Sequence, residues 1–400
     1  MACGRKMAKQ SSTKGKSVFQ QYKEDNDLLQ DLPNWKIKRL CMSNPVVISG
    51  PYEGEVPDKS FKQAYGSTIS TYPHYPDNAS REGDPMCDSY RIHTHKNGIL
   101  FCVTDGCNWG ERPKEAANRA KNAFVVYLSG KMGEVKTIKE IGDVLISALH
   151  HANHAIVFDK NDPWMAGTTT LLGGVVVQID NKHYPTDPSW AFVCCTIGDC
   201  KAFVFKDKEK EVVDITAGNR IDVTDARDPG GRIGPYINDG EPDLRNLALI
   251  CAPVAEKDIV FVVSDGVHDN LDPQTLGKSP AEANIKGITA GVAWDSLDRD
   301  MVSHAKMLYE CKLLQALIGA DETFISPRQI SKKLMDHCRL TTSSSREFME
   351  QNPNLPLASD YAKYPGKMDH TTCAAFRIGC HDPYRPTSQR ESNDLEVWPY

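Results

Sequence analysis

Apolar and polar positions change period several times along the chain, and each change marks an element. Residues 1 to about 45 keep no period and read as a polar, solvated and disordered tail. From 44 to 84 the chain is rich in Pro, Tyr, Gly and Ser and reads as irregular, with one strand at 45–49. Regular structure begins near Asp88. Residues 90–94 alternate, Lys96-Asn97-Gly98 carries the Asn-Gly hairpin signal, and GILFCVT at 98–104 returns as an apolar run that stops at Asp105-Gly106.

Helical spacing comes next. Pro113 suits a first turn, and Ala116, Ala117, Ala120, Phe124 and Leu128 share one face. Thr137 caps a second helix whose stripe is Ile141, Val144, Leu145, Leu149 and Ala152. Strands are predicted at 168–179, 190–197 and 201–206, the last after a tight Gly198-Asp199-Cys200 turn. Residues 228–246 have the Gly, Pro and Asp density of a long ordered loop. DIVFVVS at 258–264 is a buried strand that stops at Asp265-Gly266. Helices are predicted at 303–317 and 327–338, surface loop with a short helix at its start over 343–367, and a last strand at 371–378. Strands on both sides of helix pairs predict a layered domain mixing α and β.

Composition narrows the function. The 400 residues carry a net charge of −6, so no excess of cations is present to displace the counterions of a nucleic acid. No segment reaches the roughly 18 apolar residues of a membrane span, and the basic, polar start is unlike a signal peptide. The 13 cysteines are scattered and odd in number, which fits reduced thiols in a cytoplasmic or nuclear protein better than a disulfide scaffold.

Aspartates sit at the ends of three apolar strands: Asp105 and Asp265 after theirs, Asp369 just before its own. Asp199 lies in a turn between two more strands. Oxygen ligands on rigid strand ends suit a hard cation such as Mg²⁺ or Mn²⁺. Two cations sharing a carboxylate can activate a water for attack on phosphorus. Taken singly, an Asp-Gly after a strand is usually just a turn, and only the recurrence argues otherwise.

The ordered series FCVTDG (101–106), GTTTLL (167–172), TIGDCKAFVF (196–205), FVVSDGVHD (261–269) and MDHTTCAAF (368–376) resembles the PPM-type, or type 2C, metal-dependent protein phosphatases. The resemblance implies an α+β fold of four layers, αββα, in which a central β-sandwich of two antiparallel sheets is flanked by helix pairs. It places the phosphatase domain at 46–380, with a helical insertion around 300–340 and a C-terminal tail at 381–400. It implies that Asp105 bridges two Mg²⁺ or Mn²⁺ ions, that the Gly106 carbonyl binds one, and that Asp265 and Asp369 bind the other. It implies further that Asp88 orders metal-bound water and that Asp199 and Asp269 belong to a third, weaker ion site. Gly167 and Thr168 belong to a structural motif, and the 228–246 loop falls where the family carries a flap.

The chain departs from the family in three places. Cys107 replaces a histidine thought to protonate the leaving group, and a neutral thiol is a poorer acid. Cys87 stands where a Glu is common. No arginine matches the phosphate-gripping position, for which Arg81 is the nearest candidate. The expected substrates are phosphoserine and phosphothreonine in proteins. A pseudophosphatase scaffold and a small-molecule phosphatase are the alternatives, and the oligomeric state stays open. The His150/His154 pair, and His93 with His95 on a strand, are expected to face solvent.

Overall fold

Several strands here are apolar on both faces, and the fold explains it by covering each sheet twice. The computed structural model describes residues 16–380 apart from 52–62, 77–79, 181–187, 221–227, 284, 286–287, 290, 320–324 and 358–359. The expected C-terminal tail and the first 15 residues lie outside these.

In chain order the strands are β1 (Val46–Gly50), β2 (Ala64–Ser70), β3 (Ser89–His95), β4 (Gly98–Thr104), β5 (Leu171–Gln178), β6 (Trp190–Ile197), β7 (Lys201–Lys206), β8 (Glu211–Asp214), β9 (Ala248–Val254), β10 (Ile259–Val263) and β11 (His370–Arg377). The helices are α1 (Val18–Asp25), α2 (Glu111–Lys131), α3 (Ile138–Val157), α4 (Asp265–His268), α5 (Arg299–Ile318), α6 (Pro327–Thr341) and α7 (Ser343–Gln351). One antiparallel sheet runs β1-β3-β4-β5-β6-β9 and the other β2-β11-β10-β7-β8.

Strand alternation sorts the side chains into three cores. On β4, Ile99, Phe101 and Val103 point between the sheets, where Phe192 and Phe376 meet Phe101. Leu100 and Cys102 point the other way, toward α2 and α3. On β10, Val260 and Val262 join the middle core, while Phe261 and Val263 face Leu334 and Cys338 of α6. The layers are therefore helices, sheet, sheet, helices, the α+β sandwich that the sequence motifs imply.

The structure fills in three regions. The lead-in is not a free tail over its described part: Phe19, Leu32, Ile37 and Leu40 are buried in the core that holds α3. Ser17 caps α1 by accepting from the Gln20 N–H, and Ile37 bridges to Ile179. The helices near 300–340, expected as an insertion, pack as α5 and α6 on the outer face of the second sheet. Strands β2, β8 and β9 went unread: β2 and β8 carry neither a clean alternation nor an uninterrupted apolar run, and the apolar run of β9 ends at Pro253. In β2, Gly66 is where the Tyr90 ring packs: a Cβ there would lie 2.1 Å from it.

Candidate active site

Both Asp-Gly turns are fixed by backbone packed on backbone. A Cβ on Gly106 would fall 2.6 Å from the Pro113 carbonyl of α2, and one on Gly266 2.1 Å from the His370 carbonyl of β11. The Asp105 carbonyl accepts from the Thr170 N–H and from Thr169 Oγ1, each at 2.8 Å. The Cys107 N–H donates to the Thr168 carbonyl at 2.9 Å. The GTTT segment thus clamps the first turn, and Thr169 bridges onward to Ile233 of the 228–246 loop.

Asp105, Gly106, Asp199, Asp265 and Asp369 line one cleft of about 590 Å³. Chain segments far apart in sequence bring them together: the end of β4, the β6–β7 turn, the start of α4 and the residue before β11. Asp88 and Asp269 are fully buried and do not line it. Asp88 Oδ2 accepts from Ser264 Oγ at 2.7 Å, and its Oδ1 has no hydrogen-bond partner among the described residues. Arg81 lies elsewhere: its Nη1 donates to the Tyr72 carbonyl at 2.6 Å. Arg81, the expected phosphate contact, is not among the residues that line the cleft.

Sequence reading missed the cations. Lys367 Nζ stands 2.6 Å from Asp265 Oδ2, 3.0 Å from Asp269 Oδ2 and 3.0 Å from Asp369 Oδ2. Arg220 joins Asp269 Oδ1 at 2.7 Å to Asp199 Oδ2 at 2.9 Å. Arg232 also lines the cleft, stacked 4.1 Å from the Tyr236 ring centre. Tyr72 donates to Asp369 Oδ1 at 3.0 Å and accepts from Trp109 Nε1 at 3.0 Å, so the tryptophan just after the first turn positions a carboxylate through Tyr72.

The electrostatics divide the cluster. Burial, with Asp88, Asp265 and Asp369 nearby, pushes the Asp105 carboxyl well above the usual range. Burial lifts Asp88 to about 7, and Asp199 and Asp369 to about 6. For Asp265 and Asp269 burial works in the same direction but is outweighed by cations: chiefly Lys367 for Asp265, and Arg220 with Lys367 for Asp269. Both are held below the usual range. Burial keeps the Cys107 thiol above its ordinary value, with Arg232 pulling the other way.

A divalent cation fits one side of this cluster and not the other. Asp265 Oδ1 is buried without a hydrogen-bond partner among the described residues, and the Asp105 carboxyl lies against the same residue. That side offers an acceptor-only carboxylate oxygen to a hard ion. On the Asp369 side the Lys367 ammonium stands among the carboxylates. Among the described residues, on either side, no group of three or more His, Cys, Asp or Glu is arranged to hold a metal without further ligands.

The histidines behave otherwise. His151 and His154 are exposed on α3 and His150 half-buried. His93 and His95 do not face solvent; they are buried, with His93 beside Ser129 of α2.

No family model matches the chain. Over 224 residues, 54% of this chain, it is 29% identical to a PP2C-like domain-containing protein of Drosophila melanogaster, and the match spans 30% of that relative's length. Among solved structures, the photosystem II phosphatase PBCP is 14% identical with a TM-score of 0.46, covering 80% of this chain and 100% of that one. The serine/threonine phosphatase PstP/Ppp of Mycobacterium tuberculosis is 12% identical with a TM-score of 0.40, covering 79% and 100%. Structural likenesses this loose say nothing of activity. The resemblance to the PPM-type, or type 2C, phosphatase family that the ordered motifs carry is borne out by the PP2C-like relative.

Proposed function

We propose that this chain removes phosphate from phosphoserine and phosphothreonine in other proteins with the help of Mg²⁺ or Mn²⁺. The observation that carries the reading is the meeting of Asp105, Asp199, Asp265 and Asp369 in one cleft, with a buried, unpartnered Asp265 oxygen beside Asp105. Asp105, Asp265 and the Gly106 carbonyl are the groups that would hold the ion. Such an ion supplies a Lewis acid that neutralises phosphoryl charge and makes water a nucleophile near neutral pH.

The chain's own residues do the rest. Arg232, fixed by its stack on Tyr236, offers charge-assisted donors to phosphate oxygens. Cys107 lines the cleft as a protonated thiol, too poor an acid to replace an imidazolium and not a thiolate nucleophile. Tyr72 and Trp109 keep Asp369 oriented. The described cysteines are all free thiols, which supports a reducing compartment, cytoplasm or nucleus. Among the described residues no helix is long and apolar enough to cross a membrane.

The test is phosphate release from a phosphothreonine peptide with and without millimolar Mn²⁺, beside Asp265→Asn. Metal-dependent release abolished by the substitution is the expected result. Absence of release at any Mn²⁺ or Mg²⁺ concentration would sink the proposal. It would favour a second reading, a catalytically silent binding platform, whose support is that Lys367 and Arg220 already neutralise much of the cluster.

A further inference from the structure

The Lys367 ammonium donates to Asp265 Oδ2 and Asp269 Oδ2 and is ion-paired with Asp369 Oδ2, so it stands among three carboxylates. The first two are charge-assisted hydrogen bonds of 2.6 and 3.0 Å, and the ion pair to Asp369 is 3.0 Å. The side chain does not reach this point from a loose loop. Asn270, fully buried, holds the Lys367 backbone from both sides: Oδ1 accepts from the Lys367 N–H at 3.1 Å and Nδ2 donates to the Lys367 carbonyl at 2.9 Å. The same Nδ2 donates to the Gly266 carbonyl at 2.7 Å, next to Asp265. The preceding Gly366 N–H donates to the Thr275 carbonyl at 2.7 Å. The lysine backbone and the Asp265 turn are thus one rigid piece.

We propose that Lys367 is a built-in counter-cation that takes the Asp265–Asp369 side of the cluster in place of a divalent ion, so that the chain binds one such ion, beside Asp105, and not two. The proposal rests on the reading of Asp105, Asp265 and Asp369 as ion-binding groups. A divalent ion placed among the same three carboxylates would stand against the ammonium at close range in a buried site, where repulsion is poorly screened. The Asp265 oxygen that Lys367 leaves unpartnered is the one available to an ion shared with Asp105. Asp199 is closed to a further ion in the same manner, since Arg220 joins it to Asp269.

The test is a Mn²⁺ titration of the chelator-stripped full chain, read by calorimetry for stoichiometry and by electron paramagnetic resonance for coupling between ions. Wild type should take up one Mn²⁺ with the spectrum of an isolated ion. Lys367→Met, similar in volume and uncharged, should take up two with a spin-coupled spectrum, and its melting temperature should be low without metal and recover with Mn²⁺. Lys367→Arg keeps the charge and should keep the single-ion stoichiometry. Two coupled ions in wild type, or none, overturn the proposal without reference to any variant, as does a folded Lys367→Met that still takes one. Phosphopeptide hydrolysis in the same samples separates the two claims. One bound ion without phosphate release leaves the counter-cation standing and sinks the phosphatase reading. Release from wild type holding two coupled ions does the reverse.

Discussion

A guanidinium can grip a substrate phosphate only if its donors face the space the phosphate enters. Arg81 is committed to the Tyr72 carbonyl, whereas Arg232 lines the cleft and its Nε has no hydrogen-bond partner among the described residues. Arg232→Ala should therefore lower kcat/KM by about 10- to 100-fold, mainly through KM, the loss of one charge-assisted contact. Arg81→Ala should leave both parameters near wild type. Steady-state kinetics on a phosphothreonine peptide checks this, and the opposite order would place the phosphate elsewhere. The aspartates were legible in the sequence because each ends or precedes an apolar strand, a local signal. The cations were not. Lys367 stands two residues before Asp369, yet nothing in that spacing says its ammonium meets Asp265, 102 residues away along the chain. Arg232 was visible only as part of a loop, and Arg220 pairs with Asp269 across 49 residues.

Among the elements, apolar runs and helical stripes were legible where both neighbours are regular, as in β4, α2 and α3. β2 was hidden because Gly66 and a row of hydroxyl residues break its pattern; its strand character comes from pairing with β11. β3 shows how a cover can reverse a reading. Its histidines alternate with polar residues, which suggests a solvent face, but α2 lies over that face. Arg91 Nε donates to His93 Nε2 at 2.8 Å, a bond that requires an unprotonated acceptor nitrogen. Burial, then the charges of Arg91 and His95, lower His93 to about 4 from an unperturbed value of about 6.5. Between about pH 6.5 and 4 the unfolded chain gains the proton at this position and the folded chain does not, so stability falls as pH falls. His93→Gln keeps an acceptor for Arg91 and cannot titrate. Urea unfolding should show a smaller loss of stability from pH 7 to 4 in His93→Gln than in wild type. Equal slopes would mean that His93 is protonated in the folded protein.

At the scale of the whole molecule, the sandwich was legible from the order of its motifs, but its edges were not. Hydrophobic patterning identifies elements that bury a whole face, and the lead-in buries only a few residues spaced along irregular chain. Those few are placed at a seam. Phe19 is fully buried against α3, with its ring edge-on to His150 at 5.9 Å, and Lys23 reaches Asp143 of the same helix at 2.5 Å. Ile37 then ties the segment to Ile179 just past β5. The segment, with α1 packed on α3, therefore completes the outer face of the first helical layer. Phe19→Ala should cost about 3–5 kcal/mol, the usual loss for emptying a buried phenylalanine site. That is a large share of the roughly 5–15 kcal/mol that holds a domain folded. Thermal melting should drop by several degrees, while Mn²⁺ uptake at low temperature stays as in wild type, because Phe19 belongs to the core under α2 and α3 and not to the cleft. A melting curve unchanged by Phe19→Ala would mean that the sandwich closes without its lead-in, and that the polar composition of the first 45 residues was the better guide to what they do.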